Sequence, residues 1–390
     1  MKTMRIFGTR GLILAAALGV SIGFTSLAFA QNISETAVIV NPDGKVQYVG
    51  TLGGVSSFAI GINESGQVVG NSRTADGSNH AFITGPNGAG TTALGTLGGA
   101  SSQAFGINAS GQVVGSSQTA DGSGHAFITG PNGMGMIDLG TFGGNVGAGT
   151  AINDAGQVVG YSLRTDDSIH AFIIGPNGMG MTDLGSLGAL TGPDSLTVGT
   201  GINDAGQVVG HSEIPITGVS HAFITGANGM GMTDLGTLGG TTSGASGIND
   251  AGQVVVGSSE TAGGSTHAFI TGPNGKGMTD LGTLGGTHSF AVGINDAGQV
   301  IGHSETADRS YHAFITGPGG MGMTDLNLIA DLPVSGVYLR RAEGINNLGQ
   351  VIVTAVIPEP ASYALMLAGL GLVGFMARRK KLPSYTVARG

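Results

Sequence analysis

Residues 62–68 read Ile-Asn-Glu-Ser-Gly-Gln-Val, and residues 80–83 read His-Ala-Phe-Ile. Both stretches recur along the 390-residue chain, and this repetition predicts the fold more strongly than any other feature. The first pattern occurs seven times, with its glutamine at Gln67, Gln112, Gln157, Gln207, Gln253, Gln299 and Gln350. The second occurs six times, 45 to 51 residues apart, with its histidine at His80, His125, His170, His221, His267 and His312.

The missing seventh copy of the second pattern lies in altered form at the N-terminus. Residues 37–44 (Ala-Val-Ile-Val-Asn-Pro-Asp-Gly) align with residues 81–88 (Ala-Phe-Ile-Thr-Gly-Pro-Asn-Gly). The Gly-Thr-Leu-Gly-Gly stretch at 50–54 then matches the one at 95–99. The repeat array therefore runs from residue 36 to residue 356 and contains seven copies of each part.

Each unit is predicted to form four short strands joined by tight turns. In residues 63–66, asparagine opens a type I turn and glycine takes the left-handed position. In residues 85–88, proline presets φ at the second turn position and glycine follows. In the first complete unit the predicted strands are residues 58–63, 67–72, 80–84 and 91–94.

A repeat of roughly 45 residues that forms four strands is typical of a β-propeller blade. The sequence thus predicts an all-β, seven-bladed β-propeller, because a closed ring needs no polar capping repeats; a β-solenoid is the alternative. The sequence does not decide the strand phase, that is, which strand of each repeat lies innermost in its blade. If residues 58–63 are innermost, the N-terminal strands complete the last blade; if residues 80–84 are innermost, every blade is continuous.

Composition and charge exclude several classes of function. The chain has 76 glycines and 40% hydrophobic residues, which fits short strands and tight turns rather than disorder. It has no cysteine, so thiol catalysis, cysteine-bound zinc and disulfides are excluded. Residues 31–377 contain seven basic and 24 acidic residues, a net charge of −17. Such a surface repels phosphate backbones, so we expect no nucleic-acid partner.

The first 30 residues have the pattern of a signal peptide. Three basic residues precede an apolar stretch at 11–24, and Ala28 and Ala30 place small residues at the two cleavage positions. Cleavage before Gln31 is expected. An uncleaved anchor is the alternative, although the apolar run is short for a membrane span.

Residues 357–381 have the pattern of a second targeting signal. Pro358, Glu359 and Pro360 precede 17 uncharged, mostly apolar residues at 361–377, and a basic cluster then ends the segment. The cluster consists of Arg378, Arg379, Lys380 and Lys381. A helix of that length is about 25 Å long, near the lower limit for a membrane span. Basic residues after it favour a cytoplasmic C-terminus, which leaves the repeats outside the inner membrane.

This order of parts resembles the PEP-CTERM sorting signal of Gram-negative bacteria. The resemblance implies processing by an exosortase, followed by release or anchoring at the cell surface, in organisms that often produce exopolysaccharide. The short tail at 382–390 departs from the pattern, and a plain single-pass anchor is the alternative. The expected domains are a signal peptide (1–30), the repeat body (31–356), the sorting and transmembrane segment (357–381) and the tail (382–390).

The repeats at 36–356 resemble the HAF family of extracellular repeats, named for His-Ala-Phe. The three-residue motif, the Asn-x-x-Gly-Gln-Val hairpin and the Leu-Gly-Gly link recur together, which makes the resemblance specific. It implies an extracellular location and no particular activity. The last unit departs from the family, because residues 327–338 replace the Leu-Gly-Gly link.

No residue pattern indicates catalysis, a metal or a cofactor. Histidines set one per blade are too far apart to share an ion, so we expect each ring to bond a neighbouring loop. The Asp-Gly-Ser loops offer too few oxygens for calcium and fit turn chemistry instead. The recurrent aspartates Asp138, Asp183, Asp234, Asp280 and Asp325 are interpreted in the same way. No nucleophile elbow, phosphate loop or zinc-protease motif is present in the sequence.

Two further features are candidates for contacts with a partner. His211 and His303 occupy a slot filled by different residues in other units, and this variation predicts a solvent-facing position. Insertions near residues 190–196 and 213–219 fall in adjacent units and could form one lip of a site. The expected function is a non-catalytic surface or matrix scaffold that binds a polymer such as exopolysaccharide. A polysaccharide lyase or hydrolase, and ice or surface adhesion, are the alternatives.

Overall fold

Short antiparallel strands joined by tight turns form most of the described chain. The computed structural model describes residues 34–188, 192, 195–214, 218–332 and 336–357. These residues belong to one unit, Ser34–Pro358. The signal peptide, the sorting segment and the C-terminal tail that the sequence predicts lie outside them.

The described chain contains 28 strands and several single 3₁₀ turns. The first fourteen strands are β1 (Ser34–Val40), β2 (Val46–Tyr48), β3 (Gly53–Ile62), β4 (Val68–Thr74), β5 (Asn79–Thr84), β6 (Thr91–Ala93), β7 (Gly98–Ile107), β8 (Val113–Thr119), β9 (Gly124–Thr129), β10 (Met136–Gly140), β11 (Gly143–Ile152), β12 (Val158–Arg164), β13 (Ile169–Gly175) and β14 (Met179–Asp183). The remaining strands are β15 (Thr197–Ile202), β16 (Val208–Glu213), β17 (Ser220–Thr225), β18 (Met232–Gly236), β19 (Gly239–Ile248), β20 (Val254–Thr261), β21 (Thr266–Thr271), β22 (Met278–Asp280), β23 (Gly285–Ile294), β24 (Val300–Thr306), β25 (Tyr311–Thr316), β26 (Met323–Asp325), β27 (Tyr338–Ile345) and β28 (Val351–Ile357). The 3₁₀ turns are Pro86–Gly88, Pro131–Gly133, Pro176–Gly178, Ala227–Gly229, Pro273–Gly275, Pro318–Gly320 and Leu326–Leu328.

The sheets repeat one simple order, in which four strands consecutive in the chain pair with their neighbours. This order holds for β3 to β6, β15 to β18, β19 to β22 and β23 to β26. The strands β7 to β10 and β11 to β14 follow it too, and a single parallel pair, Val146 with Gly124, joins them into one eight-stranded sheet. Because the four strands of each group pair antiparallel, the parallel β-solenoid alternative is wrong.

The last sheet combines both ends of the described chain, in the order β2-β1-β28-β27. Strand β1 pairs antiparallel with β28 over its whole length, from Ser34 opposite Ile357 to Val40 opposite Val351. This pairing decides the strand phase, because the N-terminal strands complete the last sheet. It also places the two ends, Ser34 and Ile357, side by side.

The first strand of most units begins earlier than the sequence predicts, at Gly53 rather than at residue 58 in the first unit. The Leu-Gly-Gly link is therefore part of the sheet, and Gly53 pairs with Thr74. Glycine is needed at the next position, because a Cβ on Gly54 would lie 2.3 Å from the carbonyl oxygen of Arg73. The close backbone approach explains why a stretch that resembles a loop is a strand.

The core lies between neighbouring sheets, and the phenylalanines of the His-Ala-Phe motif form its centre. Phe127, for example, packs with Val69 and Ile83 of the preceding unit. The same contact joins the two ends of the array, since Phe82 packs against Ile39 of β1 and Ile352 of β28. Six phenylalanines are fully buried in this way: Phe82, Phe127, Phe172, Phe223, Phe269 and Phe314. Their burial supplies about 1.5–3 kcal/mol each.

Candidate functional site: the central opening

The turns between the first and second strands of each unit meet at one face, which we name the opening face. In the first unit, the amide of Gly66 donates to the carbonyl oxygen of Asn63 at 3.0 Å. Gly66 has a φ of +72°, a conformation that L side chains rarely adopt. The amide of Asn63 donates to Gln67 at 3.1 Å. This is the turn that the sequence predicts.

Seven asparagines at the start of these turns are joined in a closed cycle of hydrogen bonds. In each, the side-chain Nδ2 donates to the backbone oxygen of the equivalent asparagine in the next unit. The bonds are Asn63 to Asn108 (3.1 Å), Asn108 to Asn153 (3.1 Å), Asn153 to Asn203 (3.0 Å), Asn203 to Asn249 (3.1 Å), Asn249 to Asn295 (3.1 Å), Asn295 to Asn346 (3.2 Å) and Asn346 to Asn63 (3.0 Å). The last bond connects the end of the array to its beginning.

Each asparagine of the cycle is buried and has its hydrogen-bonding capacity satisfied. In the first unit, Nδ2 of Asn63 also donates to Gln67 Oε1 at 2.9 Å, and its Oδ1 accepts from the Gln67 amide at 3.0 Å. Only an amide side chain supplies two donors and an acceptor at this position. The sequence pattern marks the residue as a turn former, whereas its role in joining units depends on packing between distant segments.

The residue after each asparagine lines the mouth of the opening and forms a second set of bonds between units. Backbone amides donate to side-chain oxygens of the next unit: Ala109 to Asp154 (2.8 Å), Asp154 to Asp204 (3.0 Å), Asp204 to Asp250 (2.9 Å), Asp250 to Asp296 (3.0 Å), Asp296 to Asn347 (2.8 Å) and Asn347 to Glu64 (2.9 Å). The series ends at Ala109, whose side chain has no oxygen to accept the seventh bond.

The opening is a cavity of about 250 Å³ bordered by all seven turns. Five carboxylates surround its mouth: Glu64, Asp154, Asp204, Asp250 and Asp296. Burial raises the pKa of Asp250, and repulsion from Asp204, Asp296 and Asp154 acts in the same direction. Nδ2 of Asn347 donates to Oδ2 of Asp296, but the described residues donate no bond to the Oδ2 atoms of Asp154, Asp204 and Asp250. Those oxygens are available to a ligand.

The chemistry of this site is that of a hydrogen-bond acceptor with negative charge. Within the described parts of the chain, no three histidine, aspartate or glutamate side chains are grouped so as to hold a metal ion. The five carboxylates at the mouth can accept hydrogen bonds from hydroxyl groups, and their negative charge attracts cationic groups.

The repeated histidines pair with the recurrent aspartates of the fourth strand. The Nδ1 atoms of five histidines lie 2.6–3.0 Å from the carboxylate oxygens of Asp138, Asp183, Asp234, Asp280 and Asp325. All five aspartates also accept from the backbone amide two residues further on, as Asp138 does from the amide of Gly140 at 2.7 Å. The partner of each ring is thus the adjacent strand of the same sheet rather than a neighbouring loop. The first unit lacks the pair, because Ala93 takes the place of the aspartate.

One of these pairs has a serine beside it. Ser310 Oγ lies 3.4 Å from His312 Nε2, and His312 Nδ1 lies 2.6 Å from Asp325 Oδ2. The order resembles a nucleophile, a base and an orienting acid. However, the Ser310 hydroxyl is also bonded to Asp308 at 2.7 Å and to Thr306 at 2.9 Å. The recurrence of the His–Asp pair in four other units indicates an architectural role.

The Asp-Gly-Ser loops lie at the face opposite the opening and are held by their own hydrogen bonds. In the first, Asp76 accepts from the hydroxyl of Thr74 and from the amide of Ser78. These bonds lower the pKa of Asp76, with the Thr74 bond as the largest cause. Hydrogen bonding to the charged form explains the direction. The turn interpretation of these loops agrees with this geometry.

His211 and His303 contradict the prediction that their slot faces solvent. Burial lowers the pKa of His211 to about 4, and Nε2 of that ring has no hydrogen-bond partner among the described residues. His303 stacks on Phe290 with ring centroids 5.0 Å apart, and burial lowers its pKa to about 3. The slot faces the neighbouring unit, where Asn71 bonds the amide of Ala104. Variation along the chain therefore reflects packing that differs between junctions.

Sequence reasoning missed Glu343, which lies on the inner strand of the last unit. Burial raises the pKa of Glu343 to about 7, although Arg341 and a hydrogen bond from Thr354 act against the shift. Arg341 Nε lies 3.2 Å from Glu343 Oε1. The equivalent positions in other units hold uncharged residues, such as Thr150 and Val292. An acidic residue at an otherwise uncharged position of the repeat was the available signal.

The described borders of the two insertions lie at the face opposite the opening, whereas residues 189–191, 193–194 and 215–217 lie outside the described parts of the chain. The amide of Glu213 donates to the carbonyl oxygen of Leu196 at 2.9 Å, which joins the borders of both insertions. Strand β16 runs from the opening face at Val208 to Glu213 at the other face. That the two insertions form one lip of a site stays a prediction.

The residues of the two predicted targeting signals lie outside the described parts of the chain. They are Ala28, Ala30 and Gln31 at the N-terminus and Pro358 to Pro360 and Arg378 to Lys381 at the C-terminus. In the described ranges, none of the helices has the length and apolar character that crossing a bilayer requires. The predicted transmembrane helix thus stays a prediction.

Residues 356–380 match the PEP-CTERM protein-sorting motif. The match confirms the sorting signal and implies an exported, membrane-anchored precursor that an exosortase-type enzyme then processes. No curated protein matches the chain.

Solved structures with a similar fold include β-propeller proteins. An oligogalacturonate lyase in complex with manganese is 12% identical, with a TM-score of 0.51; the match covers 85% of this chain and 92% of the lyase. A putative TolB from Agrobacterium tumefaciens is 9% identical, with a TM-score of 0.46 over 84% of this chain and 99% of that protein. A puromycin-hydrolyzing peptidase from Mycobacterium tuberculosis is 13% identical, with a TM-score of 0.49 over 80% of this chain and 51% of the peptidase. At these identities, the likeness to the lyase shows an all-β fold of propeller type and nothing about activity.

Proposed function

We propose that the protein is a non-catalytic scaffold of the cell surface or extracellular matrix, built as a seven-bladed β-propeller. The observation that carries the proposal is the closed cycle of seven asparagines around an opening bordered by carboxylates. The cycle supports seven blades, because each bond joins one unit to the next. The sorting motif supports display outside the inner membrane.

Both ends of the described chain lie at the face opposite the opening. Ser34 and Ile357 lie side by side at the end of β28 that is farther from the turn at residues 346–350. The opening face is therefore clear of both ends of the described chain and is free to meet a ligand.

A hydroxyl-rich polymer such as exopolysaccharide is the ligand class that fits this face best. The carboxylates around the opening accept hydrogen bonds, and an extended polymer can contact several scaffolds at once. Weak individual contacts then add to useful avidity. The net charge of −17 on residues 31–377 disfavours polyanions, so a neutral or cationic polysaccharide is expected.

Binding of the purified secreted protein to immobilised exopolysaccharide at physiological salt tests the proposal. The combined variant Asp154→Asn, Asp204→Asn and Asp250→Asn should weaken binding at least about tenfold. Asparagine keeps the oxygen that accepts the bond from the neighbouring unit, so the turn cycle is preserved. The matched control, Asp76→Asn with Asp121→Asn and Asp308→Asn, removes equal charge from the opposite face and should bind as wild type. Absence of retention on neutral and cationic polysaccharides would contradict the proposal.

A polysaccharide lyase or hydrolase is the second candidate, because the fold brings five carboxylates to one opening. Glycosidases of most families use a pair of such groups. Release of reducing ends or unsaturated products from polysaccharide, abolished by Asp250→Asn, would favour this candidate over the scaffold. Deleting the insertion at 191–196 does not test the carboxylates of the opening, since its described border, Leu196, lies at the other face.

A further inference from the structure

An apolar cleft of about 460 Å³ lies at the junction of the last two sheets, β23 to β26 and the sheet that contains β28. Its lining includes six aliphatic side chains: Val40, Ile315, Leu326, Ile329, Leu348 and Val351. The cleft adjoins the opening face, because Leu348 and Gly349 belong to the last inner turn. A cavity of this size falls in the range of small-molecule sites.

The cleft exists because the last unit departs from the packing of the others. At the junction of the first and second complete units, a Cβ on Gly133 would lie 2.6 Å from the side chain of Leu94 and 3.0 Å from that of Ile83. The turn glycine thus fills the space between the sheets. In the last unit the turn between β1 and β2 is one residue shorter than the one between β5 and β6. Its glycine, Gly44, approaches the backbone oxygen of Ile329 instead.

One hydrogen-bond donor of the cleft has no partner among the described residues. At three other junctions the glutamine of the inner turn donates from Nε2 to an asparagine of the next unit, as Gln67 does to Asn132 at 3.3 Å. Gln299 lines the cleft, and its Oε1 accepts from Asn295 at 2.9 Å. Its Nε2 makes no hydrogen bond with the described residues. A ligand with an acceptor atom would satisfy this donor.

Exposed apolar side chains lie in the lining of the cleft and next to it in the chain. Leu328 is 81% exposed, Ile329 50% and Leu348 61%. Leu348 stands where the other units have serine or alanine, and Met321, which is 71% exposed, lies in the turn that begins at Gly317 of the lining. Apolar side chains grouped in this way on a soluble surface mark an interaction site.

The lining of the cleft disfavours a charged ligand. Among the described residues, none of those that line it is aspartate, glutamate, lysine, arginine or histidine. An ionised ligand would lose hydration there without gaining a partner of opposite charge, which is costly. The fitting ligand is therefore neutral and chiefly aliphatic.

We propose that the cleft between the last two sheets binds a neutral aliphatic molecule through its apolar walls, with the Gln299 amide donating to an acceptor atom of the ligand. The cleft adjoins the central opening, and Asn347 lines both, but none of the five carboxylates of the opening lines the cleft. Its ligand is distinct from the polymer proposed above. The neutral fluorescent probe 1-N-phenylnaphthylamine should bind with increased emission. 1-Octanol should displace it, whereas octanoate at the same concentration should not.

Paired variants locate the probe. Thr324 lines the cleft from the exposed strand β26, and Thr279 has the equivalent position in β22 of the preceding sheet, outside the cleft lining. Thr324→Trp should fill the cleft and raise the dissociation constant of the probe at least about tenfold, while Thr279→Trp changes it less than about twofold. Both substitutions are at exposed positions, so circular dichroism and melting temperatures should match those of the wild type.

Gln299→Leu tests the polar contact. It should weaken displacement by 1-octanol while leaving the affinity for the probe nearly unchanged, and Gln253→Leu at the preceding junction is its control. Unchanged probe binding in Thr324→Trp, an equal loss in Thr279→Trp or equal competition by octanoate would each overturn the proposal.

Discussion

At the scale of single residues, the last unit carries a carboxylate whose ionisation the fold opposes. Glu343 has a pKa of about 7 in the folded protein, against 4.5 for an ordinary glutamate. The folded state therefore holds the proton between these two pH values, whereas the unfolded state has released it. Stability must fall as pH rises through this window, and the loss is complete above pH 7.

Glu343→Gln should consequently stabilise the protein at pH 8 and leave it nearly unchanged at pH 4. The expected gain at pH 8 is about 3 kcal/mol, because the pKa rises from 4.5 to about 7 and each pKa unit corresponds to about 1.4 kcal/mol. Urea unfolding of both proteins at the two pH values measures it. The control is Glu305→Gln, an exposed carboxylate whose pKa the Thr287 hydrogen bond lowers. A gain of equal size in the control, or none in Glu343→Gln, would contradict the buried-carboxylate explanation.

What the sequence predicted at this scale depended on whether the relevant contacts were local. The turn roles of Asn63 and Gly66 follow from the conformational preferences of a few consecutive residues, and they were predicted. The burial of His211 and His303 depends on the adjoining unit, about 45 residues away along the chain, and the prediction of solvent exposure was wrong. The cycle of asparagines was missed for the same reason.

At the scale of elements, the second strand of most units needs glycine where it crosses the motif phenylalanine. In the second complete unit, a Cβ on Gly115 would lie 1.9 Å from the carbonyl oxygen of Gln103 and 2.8 Å from the ring of Phe127. Both neighbours are fixed, one by the sheet and the other by the core between sheets. The glycine thus allows the strand and the aromatic ring to pack closely.

Gly115→Ala should therefore destabilise the protein by at least about 2–3 kcal/mol, since overpacking of a dense core forces backbone shifts. Thermal and denaturant unfolding measure the change. Gly124→Ala in the adjacent strand is the control, because its Cβ would have only an ordinary contact, 3.7 Å from Ser116 Oγ. Similar costs in both variants would indicate a general effect of losing glycine rather than this contact.

The elements themselves were largely predictable, because period-two patterns and turn residues mark strands locally. The error lay at the start of the first strand, where Gly53 and Gly54 resemble a loop. Their pairing with the second strand depends on close backbone approach, which composition does not reveal.

At the scale of the whole molecule, the fold depends on joining the first unit to the last. The N-terminal strand β1 completes the last sheet, and the Asn346 side chain donates to the backbone of Asn63 at 3.0 Å. The sequence showed seven of each part, but it left the strand phase and the mode of closure open. Those features depend on contacts between residues nearly 300 positions apart.

Closure predicts that the junction between the chain ends is as strong as an internal one. Asn346 and Asn153 make matching bonds: each donates to the next unit at 3.0 Å and to its own glutamine at 2.8 Å. Asn346→Ala and Asn153→Ala should therefore destabilise the protein equally, by about 2–4 kcal/mol, since each leaves buried acceptors without a donor. Parallel urea unfolding curves give both values. If the array were open at its ends, Asn346→Ala would lose only the bonds within its own turn and would cost at least about 1 kcal/mol less than Asn153→Ala.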